Sequence, residues 1–393
     1  LMGLKGHMIE GYARPSGRHG IRNHLAIIPA SVCAGEVASR IASQIPGAVA
    51  LVHPNGCCQM GEDYAQTART LTGMGRNPNV GACLVVGLGC EGMDPGEIAG
   101  GISATGKDVE TVIIQKSGGT AKAVAEGLVK ARKLAGSLSA MQKVHFDASE
   151  LVLGLECGAS DPTSGIAANP SLGVASDMLV GLGGVSVLSE TTELIGAERL
   201  LAARAVDKKV AEDLLRIVLE TEKRAVSMGT DLRGTQPTPG NIRGGISSIE
   251  EKSLGCILKA GKSPLMGVLP YAGEIRKEAS GLYMMDTPGQ DVDSMTGMLA
   301  GGAHIVVFTT GLGTPTGSPI APVIKVTANK ATFDNMKDDT DLDLSAVMDG
   351  TMTLEEAGGL IFEEILSACR GKLTKSESGG HKEFGIMRVG WTF

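Results

Sequence analysis

This chain of 393 residues carries no excess of positive charge: 36 Lys and Arg stand against 43 Asp and Glu, a formal net of −7. The basic field that holds a nucleic-acid backbone is missing, so no nucleic-acid partner is expected. No apolar run reaches the roughly 18–20 residues of a membrane span, and no membrane role is expected. Aromatic residues are scarce at 3%, whereas Met numbers 17. The eight cysteines lack the dense spacing of a secreted disulfide framework. Together these features point to a reducing cytoplasm. The opening Leu1–Met8 lacks the form of a secretory signal. Fixed-period repeats and low-complexity segments are absent.

Glycine is abundant, at 56 residues, and it gathers after apolar runs rather than in linkers. That placement suggests tight strand-to-helix turns or backbone lying close to a ligand. Three apolar runs end in a cysteine within a few residues: Ala48–Cys57, Ala82–Cys90 and Leu151–Cys157. Short apolar runs that alternate with helical periodicity read as βαβ units and a parallel sheet. The class expected is α/β: Rossmann-like parallel sheets with helices on both faces, in two α/β halves. Expected strands lie at 24–30, 48–53, 82–88, 111–115, 151–156, 185–189, 265–269, 282–286, 304–309 and 323–327. Helices are expected between them, the clearest at 119–134, where Ala121, Val124, Leu128 and Ala131 recur at helical spacing. A long charged helix at 207–228 precedes the Gly- and Pro-rich segment 229–240. The chain is therefore divided into residues 11–228, carrying the cysteine motifs, and 229–393, completing the site. Lys375–Phe393 is expected to be peripheral until its apolar end.

In parallel sheets functional groups gather beyond the carboxyl ends of the strands. Cys57, Cys90 and Cys157 each stand beside a glycine in such a turn, so they are expected to converge on one metal. Three thiolates suit iron, as Fe2+ or an iron–sulfur cluster, better than magnesium. Cys58 is the second choice, and Cys33, Cys83, Cys256 and Cys369 read as small core residues. Gly87–Gly92 matches G-x-G-x-x-G, but the next strand ends at Lys116 without the acidic residue that would hold a ribose. Dinucleotide binding is therefore not expected. His53 at a strand end suits a ligand or a base. Arg22, Asn23 and His24 open another strand, and the Arg22 fork fits a carboxylate bidentately. Further polar clusters at Glu156–Asp161, Pro237–Asn241, Glu250–Ser253, Met285–Gly289 and Thr309–Gly311 supply what a hydroxy acid would need.

The order of these motifs resembles the altronate/galactarate dehydratase family, in its large C-terminal catalytic region. The segments that carry the resemblance are Gly11–His24, His53–Cys57, Leu84–Glu91, Leu155–Asp161, Leu188–Thr191, Pro239–Asn241, Glu251–Gly255, Met285–Gly289 and Phe308–Gly311. The resemblance implies a lyase that dehydrates a sugar acid to a 2-keto-3-deoxy acid. A related branch, similar to the large subunit of sulfolactate sulfo-lyase, implies release of sulfite and pyruvate instead. A non-enzymatic module that binds a sugar acid or nucleotide is the third class. It would need no redox-sensitive metal. Under the lyase reading His53 is the general base, with Lys252 as the alternative. Arg22, Asn23, His24 and Asn241 bind substrate, and Cys57, Cys90 and Cys157 hold iron. Sugar-acid members of the family carry a small N-terminal domain that this sequence does not show. A small domain or separate small subunit is the expected partner, within an oligomer.

Overall fold

The computed structural model describes residues 7–393. Leu1–Gly6, the start of the stretch read for a signal, lies outside the described residues. The chain opens with β1 (Met8–Ala13) and β2 (His19–Gly20), which pair antiparallel. Four parallel strands follow: β3 (His24–Pro29), β4 (Ala48–Ala50), β5 (Val80–Gly87) and β6 (Asp108–Ile113). They form a sheet of order β4-β3-β5-β6. Next, β7 (Val144–Asp147) returns to pair with β1.

The remaining strands build the larger sheet. They are β8 (Val152–Gly158), β9 (Val185–Leu188), β10 (Leu265–Leu269), β11 (Gly281–Met285), β12 (Ile305–Thr310), β13 (Val323–Thr327) and β14 (Leu342–Asp343). Their order is β10-β11-β9-β8-β12-β13-β14, parallel throughout. The α/β class with parallel sheets and helices on both faces is as the apolar runs implied. The division at 228–229 needs correction, because β8 and β9 share the larger sheet with strands from beyond residue 265. The sheets change over near residues 139–148, after the helix Thr120–Ser139. Residues 229–240 lie mostly on the surface within the larger unit, where Gly and Pro bound the short helices Leu232–Thr235 and Pro239–Gly244.

Alternation along the strands explains the layering. Leu25 and Ile27 face the helices Gly35–Ala42 and Thr120–Ser139, while Ala26 and Ile28 face the other way. In β12, Ile305 and Val307 face the helices Asn169–Gly181 and Leu354–Cys369, while Val306 and Phe308 point to the opposite side. Successive strand residues point to opposite faces, so each sheet is covered twice. The inner faces of both sheets share one core with the helices Gly61–Arg76, Pro95–Ser103 and Asp291–Ala300. The result is five alternating layers. No helix among the described residues is long and apolar enough to cross a membrane.

Two polar seams fasten the units. Asn77 donates to Leu299 O at 2.7 Å and Ala303 O at 2.8 Å. The segment after Lys375 is not peripheral. Arg388 clasps Asp63 at 2.7 Å, Gln66 donates to Met387 O, and Phe393 N–H donates to Cys58 O. Of its aromatic side chains Trp391 and Phe393 stand exposed, while Phe384 packs against the shared core.

His304 begins the turn into β12 and is buried. Its Nδ1 accepts from Val152 N–H and its Nε2 donates to His19 O, both at 3.0 Å. Burial, with Arg18 nearby, lowers its pKa to about 3. An unfolded histidine titrates near 6.5, so its contribution to stability is present above that value and is lost as pH falls toward 3. Between pH 6.5 and 4.5 the urea midpoint should fall less steeply in His304→Gln than in the parent chain. Parallel slopes would contradict this assignment.

Candidate active site

The larger sheet begins at β8, adds β9 on one side and later β12 on the other. The point where strand order reverses leaves a crevice beyond the carboxyl ends, the usual ligand position in open α/β sheets. Here β8 delivers Glu156 and Cys157, the turn after β9 delivers Ser189 and Glu190, and Asp291 opens the helix after β11. The helix Ile249–Ile257 and the turn after it contribute Lys252, Cys256 and Lys259, spaced four and three apart on one stripe. A cavity of about 230 Å³ opens above them, lined by Cys157, Ser160, Asp161, Asn169, Glu251 and Lys252 among others.

Behind its lining residues Cys157 and Lys252 lies a buried array of charge. Lys259 Nζ meets Glu190 Oε2 at 2.5 Å, with the two side chains 0% and 1% exposed. Lys252 Nζ meets Glu193 Oε1 at 2.9 Å. Burial opposes the ammonium on both lysines, but the neighbouring anions outweigh it and leave both pKa values raised. Glu156 accepts from Ser189 at 3.0 Å and Ser294 at 2.7 Å, while its Oε1 has no partner. Burial and the nearby Glu190 raise its pKa. Burial, then Glu190 and Glu193, push Asp291 up to about 7. Glu193 is likewise raised by burial, and its Oε2 is unpartnered. Glu190 itself holds a left-handed backbone at φ 67°. For a non-glycine residue that conformation carries strain of order 1–3 kcal/mol. Thr287, which accepts from its N–H at 2.6 Å, and Lys259 keep it there. Gly158 allows the close approach, since a Cβ there would lie 2.7 Å from Asp291 Oδ1.

Of the residues singled out in the sequence, Cys157 and Lys252 meet at this cavity. Asn241 supports it from outside, donating to Ser160 O at 2.9 Å while completing the capping box of Pro239–Gly244. The other three substrate-binding assignments do not reach it. Arg22 spends its fork on Glu377, at 2.7 and 2.9 Å, and donates to Ala368 O. Asn23 is taken by Arg14 and Leu138 O. His24 lies at the amino end of β3, on the edge of the sheet opposite to the cysteine turns. His53 is a structural residue: Nε2 donates to Pro29 O at 2.8 Å, Nδ1 accepts from Asn55 N–H at 3.1 Å, and burial lowers its pKa. With both ring nitrogens engaged, it has no lone pair for a base to use.

The three cysteines do not form one ligand set among the described residues. Cys57 and Cys90 follow strands of the smaller sheet and are at least partly exposed, whereas Cys157 is buried in the larger one. Gly56, at φ 96° and pressed against Ala30 O, sets the turn that carries Cys57 beside Cys58, 3.8 Å away. Cys157 instead pairs with Cys256, which had read as a core residue, at 3.8 Å. Two groups could hold a metal ion: Cys157, Glu190 and Cys256, or Glu156, Glu190 and Asp291, each with ligand atoms within 4.8 Å of one another. Two thiols are fewer than the three or four cysteine ligands that hold an iron–sulfur cluster. The carboxylate group leaves the Glu156 Oε1 without a partner, open to a cation such as Fe2+, Mn2+ or Mg2+.

In the Gly87–Gly92 turn, Leu88 N–H donates to Glu91 at 2.7 Å, and Gly89 N–H also donates to that carboxylate. The chain's own carboxylate occupies the cradle that a pyrophosphate would need.

Comparison with known proteins agrees with this layout. The family described as D-galactarate/altronate dehydratase, C-terminal, matches residues 148–392. The description D-galactarate dehydratase/altronate hydrolase, second domain, matches residues 11–139. The chain belongs to this family. The changeover between the two matches coincides with the changeover between sheets. Relatives include the (2R)-sulfolactate sulfo-lyase subunit beta of Chromohalobacter salexigens, 39% identical over 99% of both chains. The altronate dehydratase of Bacillus subtilis is 31% identical over 98% of this chain and 78% of that protein. The galactarate dehydratase (L-threo-forming) of Escherichia coli is 34% identical over 94% of this chain and 74% of that protein. The chain is thus an enzyme of the lyase class.

Two outcomes follow from the site. Lys259→Met should cost about 3–5 kcal/mol in urea unfolding, because Glu190 would be left as a lone buried charge. Adding Glu190→Gln should recover more than half of that loss; additive losses would show that the pair does not interact. Titration with nicotinamide or flavin dinucleotides should give no saturable heat, and micromolar binding of either would refute the reading of the Glu91 turn.

Proposed function

We propose that this chain is the larger component of a lyase that acts on a small 2-hydroxy acid by β-elimination. The carrying observation is Lys252, a cation on the wall of an open cavity with Glu193 as its proton partner. Substrate carboxylate and hydroxyl groups enter the cavity and compete with Glu193 for the ammonium. Glu193 holds Lys252 charged while the two are paired, so the ammonium gives its proton to Glu193, itself raised by burial, as substrate displaces the pair. The free amine then removes the proton at C2, and Glu193 passes its proton on to the departing group. The electron pair left at C2 becomes an enediolate, and the group on C3 departs with its bonding pair. The resulting enol takes up a proton at C3 to become the 2-keto acid. Iron bound at Glu156, Glu190 and Asp291 would supply Lewis acidity toward the developing oxyanion. Lys252, restored to its charged form, adds a preorganised cation beside the same charge.

Two leaving groups are compatible with this chemistry. Sulfite comes first, supported by the match along 99% of both chains to the sulfolactate enzyme's subunit beta. That relative's designation as a subunit also supports a small companion chain for this protein. Water comes second, supported by the altronate and galactarate dehydratases at 31–34% identity. This reverses the order in which the motifs alone placed the two. Eight free thiols, with Cys157 and Cys256 unbonded at 3.8 Å, support work in a reducing cytoplasm.

The test uses the protein in the complex purified anaerobically from its own cells, with ferrous iron. (2R)-Sulfolactate should yield equal amounts of sulfite and pyruvate, and Lys252→Met should lower kcat by about 10²-fold or more. Keto acid from altronate or galactarate without sulfite would select dehydration. Turnover of none of these acids would sink both readings.

A further inference from the structure

A second cavity, of about 350 Å³, lies in the seam between the two units, near the amino ends of the large-sheet strands. Arg18, Arg69 and Arg76 all line it, and Glu274 is the only carboxylate among its lining residues. Each guanidinium is anchored along one edge. Arg18 donates to Ile275 O, and Arg69 Nε donates to Tyr271 O at 2.9 Å. Arg76 meets Glu274 at 3.2 Å, a half-exposed pair that solvent screens. These anchors hold the forks in place and leave donors of Arg69 and Arg76 without protein acceptors among the described residues. Arg18 is half-buried, whereas Arg69 and Arg76 keep much of their surface in water; partial burial lowers the pKa of Arg18 and of Arg69.

The opposite wall is Ala272, Ala300, Gly301 and Gly302, so nothing bulky fills the space. A Cβ on Gly302 would already lie 3.4 Å from Arg18 Nη1. Asn77, through its bonds to Leu299 O and Ala303 O, keeps the two walls in fixed relation. The three cations outnumber the one carboxylate in the lining, Glu274, while Glu278 and Glu150 act on Arg18 and Glu62 on Arg69 from outside it.

We propose that this seam is a binding site for a small oxyanion with two or more negative charges, either a phosphate or a dicarboxylate, separate from the lyase site. Planar guanidinium forks recognise either group bidentately. Because the arginines come from the smaller unit and the β1–β2 turn while the wall comes from the larger unit, an occupant would bridge both.

Calorimetry of the full chain with inorganic phosphate, and separately with malonate, tests this in chloride buffer of matched ionic strength. One saturable site per chain is expected, and the tighter anion identifies the source. Arg69→Gln with Arg76→Gln should weaken binding at least ten-fold. Thr72→Glu, which places a carboxylate on the cavity wall, should abolish it without removing any arginine. If the double variant fails to fold, Thr72→Glu decides alone. Absence of saturation with both anions, or binding unchanged in Thr72→Glu, overturns the proposal; the latter result would place the anion elsewhere, including at Lys252.

Discussion

The contact between Lys259 and Glu190 constrains everything at the carboxyl edge of the larger sheet. Both groups are out of reach of water, and an isolated buried charge is far too costly to keep. Their pairing requires the turn after β9 to hold Glu190 in a left-handed conformation and Lys259 to follow its helix by one turn. It also requires β8 to run between β9 and β12, so that Cys157 N–H can donate to the same carboxylate at 3.0 Å. Once that pair is in place, Glu156, Glu193 and Asp291 fall into a field of their own repulsion. The raised pKa values of all three come first from burial and then from that repulsion. Carboxylates crowded in this way have affinity for a proton or another cation, the usual mark of a functional site.

The shared middle core gives this array its rigidity. Small- and large-sheet residues such as Ile28, Val85, Val306 and Phe308 bury against the same helices. The two family-matched segments are therefore layers of one packed body. The crossing polar contacts, Asn77 on one seam and Asp63 with Arg388 on another, sit where loops would otherwise leave backbone groups unpaired. Asp63 is pushed up by burial, yet the donors from Arg388, Gln59, Val389 and Gly390 outweigh that and hold it at about 2. The C-terminal segment is thus fastened by charge at Asp63 and by Ile386, Phe384 and Met387 packed into the shared core.

Much of the architecture was legible in the residues. Fully buried parallel strands need continuous apolar runs, and those of β5, β8, β12 and β13 stand out without any partner being known. The helix Thr120–Ser139 followed from period alone. What escaped was the antiparallel ribbon of β1, β2 and β7, because short edge strands are half-exposed and lack a strong pattern. The domain break was misplaced for a related reason. Gly and Pro mark a turn equally well inside a unit or between units, while strand order, which decides the matter, leaves no local trace.

At the site, local sequence placed Cys157 at the carboxyl end of a strand, one residue later than the strand runs suggested it would stop, and Lys252 on a helix, in an acidic α/β protein of this family. It could not separate His53 or Arg22 from true site residues, since a His at a strand end and an Arg beside one look alike whether their partners are a substrate or a carbonyl. Nor could it show that Cys57 and Cys90 belong to a different sheet from Cys157, which only the three-dimensional strand order reveals. Tertiary structure alone brought Glu190 to Lys259 across 69 residues and Cys157 to Cys256 across 99. Such contacts depend on which strands become neighbours, and neighbours are chosen by burial of the whole sheet rather than by any residue's own surroundings in the chain.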